Sequence, residues 1–208
     1  MSDGARASRL LQTPAVPRRS SAKRDDLAAR LLHLFQREGF LSFSVGDLCE
    51  RLRCSKRTLY AIAPSREQLN RIVVETFYER LLSSISTAVS IEPIVEHRLA
   101  ALLAEAGRQV QAASMNFFID VFSYPPTSEL QRSATSKMLA IVERLIEEGM
   151  NAGVYRAIDP RLTARAIAML ISSAELGELD EPADTRAPSR TFSAVADLLL
   201  NGLLVEGR

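Results

Sequence analysis

The sequence has no tryptophan, two cysteines and two histidines in 208 residues, and each shortage excludes something. Cys49 and Cys54 alone cannot build a disulfide framework, so the chain fits a reducing compartment. His33 and His97 are far apart and, with two thiols, make no tetrahedral metal set at usable spacing. No phosphate-binding glycine loop, HExxH, GxSxG or His-based triad is present, which argues against an enzyme and against a cofactor. The pair Glu147-Glu148 falls on an otherwise amphipathic helix and reads as a solvated face. No stretch approaches the roughly 18 consecutive apolar residues of a membrane span. A soluble protein is expected, and 47% hydrophobic content suffices for a sizeable core.

Net charge is also lacking, with 26 Lys+Arg against 25 Asp+Glu. The balance hides a division. Residues 1–72 carry 14 basic and 7 acidic side chains, a net +7, and the remaining 136 carry 12 and 18, a net −6. Within residues 1–24, Arg6, Arg9, Arg18, Arg19, Lys23 and Arg24 face only Asp3. That composition describes an organelle transit peptide or, more simply, a disordered basic arm.

From Asp25 the apolar residues Leu27, Leu31, Leu34 and Phe35 recur at helical spacing and stop at Gly39. Ser44 with Asp47 forms a capping box that opens a second helix over 45–52, and Ser55 caps a third over 56–62, before Pro64. Ser65 with Gln68 opens a long amphipathic segment through Leu69, Val73, Phe77, Leu81 and Ile85, long enough to leave a small first domain and enter a second. Further helices are expected over 93–113 and 115–122. Another is expected from a Ser128/Gln131 cap to Gly149 or Gly153, and a fourth from the Asp159-Pro160 start to Leu176. A turn-rich loop over 177–186 precedes a last helix from Pro188 to Leu204. Nothing alternates as a strand does. The fold class is all-α, about nine helices, divided into an arm (1–24), a helix-turn-helix domain (25–72) and a second helical domain (73–208).

The first three helices meet the geometric needs of a helix-turn-helix. A short supporting helix, a tight connection, and a short helix whose outer face is polar and basic can enter a major groove about 12 Å wide. In Ser55-Lys56-Arg57-Thr58-Leu59-Tyr60, Leu59 and then Ile62 face inward and leave Lys56, Arg57, Thr58 and Tyr60 outside. The positive charge collects in the same third of the chain, as phosphate contacts require.

Gly39-Phe40, Ser44-Val45, Asp47-Leu48, Ser55 to Tyr60 and Pro64 to Leu69 together resemble the DNA-binding domain of TetR-family transcriptional regulators. The likeness is specific over 25–77 and looser beyond, where Gly153-Val154-Tyr155-Arg156-Ala157-Ile158-Asp159-Pro160 is similar to a turn between two late helices of that family. The resemblance implies a bacterial, cytoplasmic, ligand-responsive regulator, most often a repressor. It would bind a palindromic double-stranded DNA operator as a homodimer and leave it when a small apolar effector binds. The competing reading is a helical small-molecule or protein-binding module whose helix-turn-helix no longer reads specific DNA.

Position by position, the resemblance puts Ser44 at a phosphate and Lys56 and Arg57 at bases or phosphates. It puts Ser55, Thr58 and Tyr60 along the same face, and Arg66 at the backbone from the start of the fourth helix. Two departures stand out. Arg53 occupies the usual glycine of the turn, where a left-handed backbone is costly but the charge suits a phosphate, and Ile62-Ala63 replaces a common aromatic. For the second domain, Phe117, Phe118, Phe122 and Met138 are expected either to pack the core or to line an effector cavity. Ile167, Leu170, Ile171, Val195, Leu198 and Leu199 are expected on a four-helix dimer interface. Cys49 and Cys54 straddle the turn, as buried small hydrophobes or as a thiol switch.

Overall fold

A computed structural model describes the backbone over residues 18–178 and 187–204, with side chains over 23–178, 194 and 196–204. Among the described residues there are nine helices: α1 (Arg18–Glu38), α2 (Val45–Leu52), α3 (Lys56–Tyr60), α4 (Arg66–Ile91), α5 (Val95–Gln111), α6 (Met115–Ser123), α7 (Pro125–Asn151), α8 (Pro160–Glu175) and α9 (Ala187–Leu203). No strand forms among them, only an isolated antiparallel bridge between Tyr155 and Leu204. No described helix is long and apolar enough to cross a membrane.

Local chemistry sets most of the boundaries. α1 buries Leu27, Leu31, Leu32 and Phe35 and stops at Gly39, whose φ of +79° lies in the left-handed region. The helix begins at Arg18, upstream of the expected Asp25, so part of the expected arm is helical. The sequence of its first two turns has no large apolar residue to signal them, only charged and small residues that are compatible with a helix. Residues 1–17 of the arm lie outside the described residues. α7 starts at Pro125 rather than at a Ser128 cap, because proline suits the first turn of a helix. Ser128 sits inside that turn, its hydroxyl donating to the Pro125 carbonyl. α8 is capped by Asp159, whose carboxylate accepts from the Arg161 and Leu162 amides.

α4 is the longest link between the two halves. Its 26 residues, about 39 Å at 1.5 Å each, pack near their start on α1 and farther on against α5 and α7. α8 closes on α7, and α9 closes on α5 and α8. The densest part of the core lies where the halves meet. Phe40 stacks on Phe35 at 5.3 Å, and Phe117 meets Phe77 edge-on at 5.0 Å and Phe118 at 5.4 Å. Such pairs add about 0.5–1.5 kcal/mol each beyond area burial.

Of the aromatics expected either in the core or on an effector cavity, Phe117 and Phe118 are fully buried in aromatic packing, and Phe122 packs half-buried against the same core. An aromatic-rich stretch at helical spacing reads the same whether its rings meet each other or a ligand.

Of the residues expected on the dimer face, Ile167 is buried inside its own subunit, Ile171 is half-buried on a cavity wall, Leu199 packs half-buried on the core and Leu198 is exposed. Leu170 is half-buried, and the side chain of Val195 lies outside the described residues. Among the described side chains of α8 and α9, the large apolar ones left in the open are Leu162, Met169 and Leu198, each about 70% exposed. α8 is apolar around most of its girth, so periodicity alone does not say which stripe turns inward.

Candidate DNA-binding site

α2 and α3 are held as a unit by caps and by a left-handed turn. Ser44 accepts from the Asp47 amide at 3.2 Å while the Asp47 carboxylate accepts from the Ser44 amide at 2.7 Å. That backbone hydrogen bond holds the Asp47 carboxyl below its ordinary range. Because the Ser44 oxygen acts as acceptor in the cap, its hydroxyl proton remains available, at an exposed position, to a phosphate.

At the other end of α2, Arg53 takes φ 50°, ψ 51° and donates its amide to the Cys49 and Glu50 carbonyls. It is the only non-glycine residue with positive φ among those described. The geometry a glycine would give is therefore kept, at a cost of roughly 1–2 kcal/mol. Arg30 of α1 reaches the last carbonyl of α2, at Leu52, with a 2.6 Å hydrogen bond. Leu48, Leu52 and Leu59 are buried beneath the turn and fix the angle between α2 and α3.

On the outside of this unit Ser44, Arg53, Ser55, Lys56, Arg57, Thr58 and Tyr60 are all exposed. Ser55 caps α3 by accepting from the Thr58 amide, and the two hydroxyls lie 2.8 Å apart. The sequence reading missed two neighbours: Lys23 and Arg30 on α1 flank Arg53 and Thr58 along a cleft. Their spacing on one helical face was legible only once α1 was known to start before Asp25.

Arg66 is placed differently from the expectation. Its guanidinium donates to the Phe43 and Phe40 carbonyls at 2.5 Å each and to Asn70 Oδ1 at 3.2 Å. Burial pushes its pKa below the ordinary value, although arginine stays charged. It ties the start of α4 to the loop between α1 and α2 and has little left for a phosphate. Asn70 is buried one turn farther along α4, a contact that i,i+4 spacing makes legible, whereas the Phe40 and Phe43 carbonyls depend on how that loop crosses α4.

Cys49 and Cys54 are half-buried. Burial raises the Cys54 thiol above its ordinary value, with Cys49 adding to the effect, so it is a poor thiolate and a poor oxidation sensor.

The loop after α1 also touches the second half of the chain. Asp120 of α6 accepts from the amides of Phe40 and Leu41, and the Ser114 amide donates to the Gln36 carbonyl at 2.6 Å. Farther along, a partly open cavity of about 50 Å³ lies among α4, α5, α7 and α8. Leu81, Leu82, Val110, Met138 and Ile171 give it apolar walls, and Tyr78, Gln131, Thr135, Ser172 and Glu175 give it polar ones. Met138 is the one expected cavity residue found there.

No protein-family model matches the chain. The uncharacterized HTH-type transcriptional regulator YvaF of Bacillus subtilis (strain 168) is 25% identical over 189 residues, spanning 86% of this chain and 95% of that protein. A TetR-family regulator from Agrobacterium tumefaciens superposes with a TM-score of 0.74 at 16% identity, covering 89% of this chain and all of the other. The chain has the TetR-family fold. Another structure with this fold is AibR in complex with isovaleryl coenzyme A and operator DNA, at a TM-score of 0.61 and 16% identity over 89% of this chain and 98% of that one. In the TetR fold as this chain builds it, the helix-turn-helix is α2–α3 and the cavity lies among the helices that follow.

Proposed function

We propose that this chain is a TetR-family transcriptional regulator, acting as a repressor in the bacterial cytoplasm. It binds a palindromic operator as a homodimer and is released by a small effector that fills the cavity among α4, α5, α7 and α8. The observation that carries the reading is the exposed row Ser55, Lys56, Arg57, Thr58 and Tyr60 on a helix fixed from below by Leu59, in the electropositive third of the chain. Arg57 or Lys56 suits guanine O6 and N7, while Ser44, Arg53, Lys23 and Arg30 suit phosphates on either side. The similar proteins are regulators rather than enzymes.

Dimerisation supplies the second recognition helix, about one helical turn of DNA away. The surface best suited to it is the α8–α9 face carrying Leu162, Met169 and Leu198. Release follows if the effector-bound subunits favour a spacing of recognition helices that no longer matches the groove, a difference in affinity between two states.

The test is a gel shift of the purified protein on its own upstream DNA across a salt series. The regulator binds a short palindrome with steep salt dependence. Arg57→Ala loses about 1–3 kcal/mol of affinity together with sequence preference. Weak binding with no sequence preference would refute the reading.

A further inference from the structure

The cavity among α4, α5, α7 and α8 has an uneven wall. Most of it is aliphatic, yet the Glu175 side chain, from the last residue of α8, lies on it and makes no salt bridge or hydrogen bond among the described residues. Among the described residues no Lys, Arg or His lines the space. Tyr78 faces the same space. Its side chain is more than nine-tenths buried, and its hydroxyl has no hydrogen-bond partner among the described residues. The two groups are close enough for the Glu175 charge to raise the tyrosine pKa further above the effect of burial. Gln131 spends its amide N–H on the Thr135 hydroxyl at 2.9 Å, leaving its carbonyl oxygen without a described donor.

An unpaired buried hydroxyl is costly, so natural cores rarely keep one without use. Here the Tyr78 hydroxyl shares a mostly aliphatic wall with the half-buried Glu175 side chain, which makes no hydrogen bond or ion pair among the described residues. The group that satisfies this part of the wall is a donor that also carries positive charge, because attraction to a carboxylate is strong away from water.

On the reading that this cavity is the effector site, we propose that it takes a small ligand with an apolar body and a cationic nitrogen, the nitrogen pairing with the Glu175 carboxylate beside the Tyr78 hydroxyl. The aliphatic side chains around Leu81, Val110 and Met138 hold the body. Burial pushes the Glu175 carboxyl up to about 8, so at neutral pH the empty site is mostly protonated. Ligand binding then releases that proton to solvent as the ion pair forms.

Three small probes of one shape separate the possibilities: isobutylamine, isobutanol and isobutyrate, titrated calorimetrically into the full-length protein at pH 7. The amine is expected to bind at least tenfold more tightly than the alcohol, with close to one proton released per site, measured by repeating the titration in buffers of different ionisation enthalpy. Glu175→Gln, which keeps the shape, should remove both the preference and the proton release while leaving alcohol binding intact. Alcohol or isobutyrate binding as tightly as the amine would overturn the cation preference and leave the effector site standing. Amine preference persisting in Glu175→Gln would do the same. If none of the three binds, the effector site itself falls and the cation preference with it.

Discussion

Asp120 Oδ2 lies 2.5 Å from the Phe40 amide nitrogen, joining α6 to the turn that leads into α2. The same oxygen accepts from Leu41 at 2.8 Å, and a Cβ on Gly39 would come within 2.6 Å of it. One carboxylate thus anchors the loop that carries the helix-turn-helix to the second half of the chain. Asp120→Ala is expected to cost about 1–3 kcal/mol in urea unfolding, since hydrogen bonds to a charged acceptor exceed neutral ones. Asp120→Asn, which keeps an acceptor oxygen, should cost less.

Arg66 tests structural against DNA-contacting roles. Its three acceptors are all within the protein, so Arg66→Ala should lower the melting temperature, corresponding to roughly 1.5–3 kcal/mol, before DNA is added. Lysine offers a point charge in place of the planar fork and should rescue only a small part. An unchanged melting temperature with weakened operator binding would return Arg66 to the DNA surface.

Arg53 makes the opposite trade. Arg53→Gly should raise stability by about 0.5–1.5 kcal/mol, because glycine takes φ 50° without strain. The same change should weaken binding to all DNA sequences alike and lower the salt slope by about 0.9, as loss of one phosphate contact requires. A slope that does not move would show that Arg53 touches no phosphate.

Glu175 gives stability a pH dependence of known sign. Its pKa is about 8 folded, above the unfolded carboxyl value of about 4.3, so the folded state holds a proton that the unfolded state has lost between those limits. Its favourable contribution is fully present below the unfolded value and lost as pH rises through 8. Glu175→Gln should therefore be more stable than the parent at pH 9, by on the order of 2–4 kcal/mol, with the gap closing toward pH 4.5. Urea unfolding across that range measures it.

Met169 on α8 is 72% exposed, beside Leu162 at 67%. If this face joins two subunits, Met169→Glu should shift the protein from dimer to monomer in sedimentation without unfolding it. Operator affinity should fall with it.

Much of this structure could be read from the sequence where the signal was local. The Ser44/Asp47 capping box, the Ser55 and Asp159 caps and the Gly39 stop depend on a few adjacent atoms, and the structure places them as the sequence pattern implies. The outward row on α3 followed from Leu59 alone. What sequence did not reveal depends on distant partners. Whether Phe117 meets a ligand or Phe77, whether Arg66 meets a phosphate or the Phe40 and Phe43 carbonyls, and which stripe of α8 faces inward are decided by packing. Glu175 and Tyr78 come from helices separated by nearly half the chain, and neither stands out without the other.

The length of α4 has a mechanical consequence. Tyr78, Leu81 and Leu82 meet the cavity near the middle of the helix, and Ser65 caps its near end beside α3. From that cap to Tyr78 is about 20 Å of continuous helix at 1.5 Å per residue. A stiff rod pivoting by about 10° at the cavity carries its far end sideways by roughly 3 Å, comparable to the spacing of adjacent base pairs. In the homodimer proposed above, two copies related by a two-fold axis would double that displacement, to about two base steps between the recognition helices.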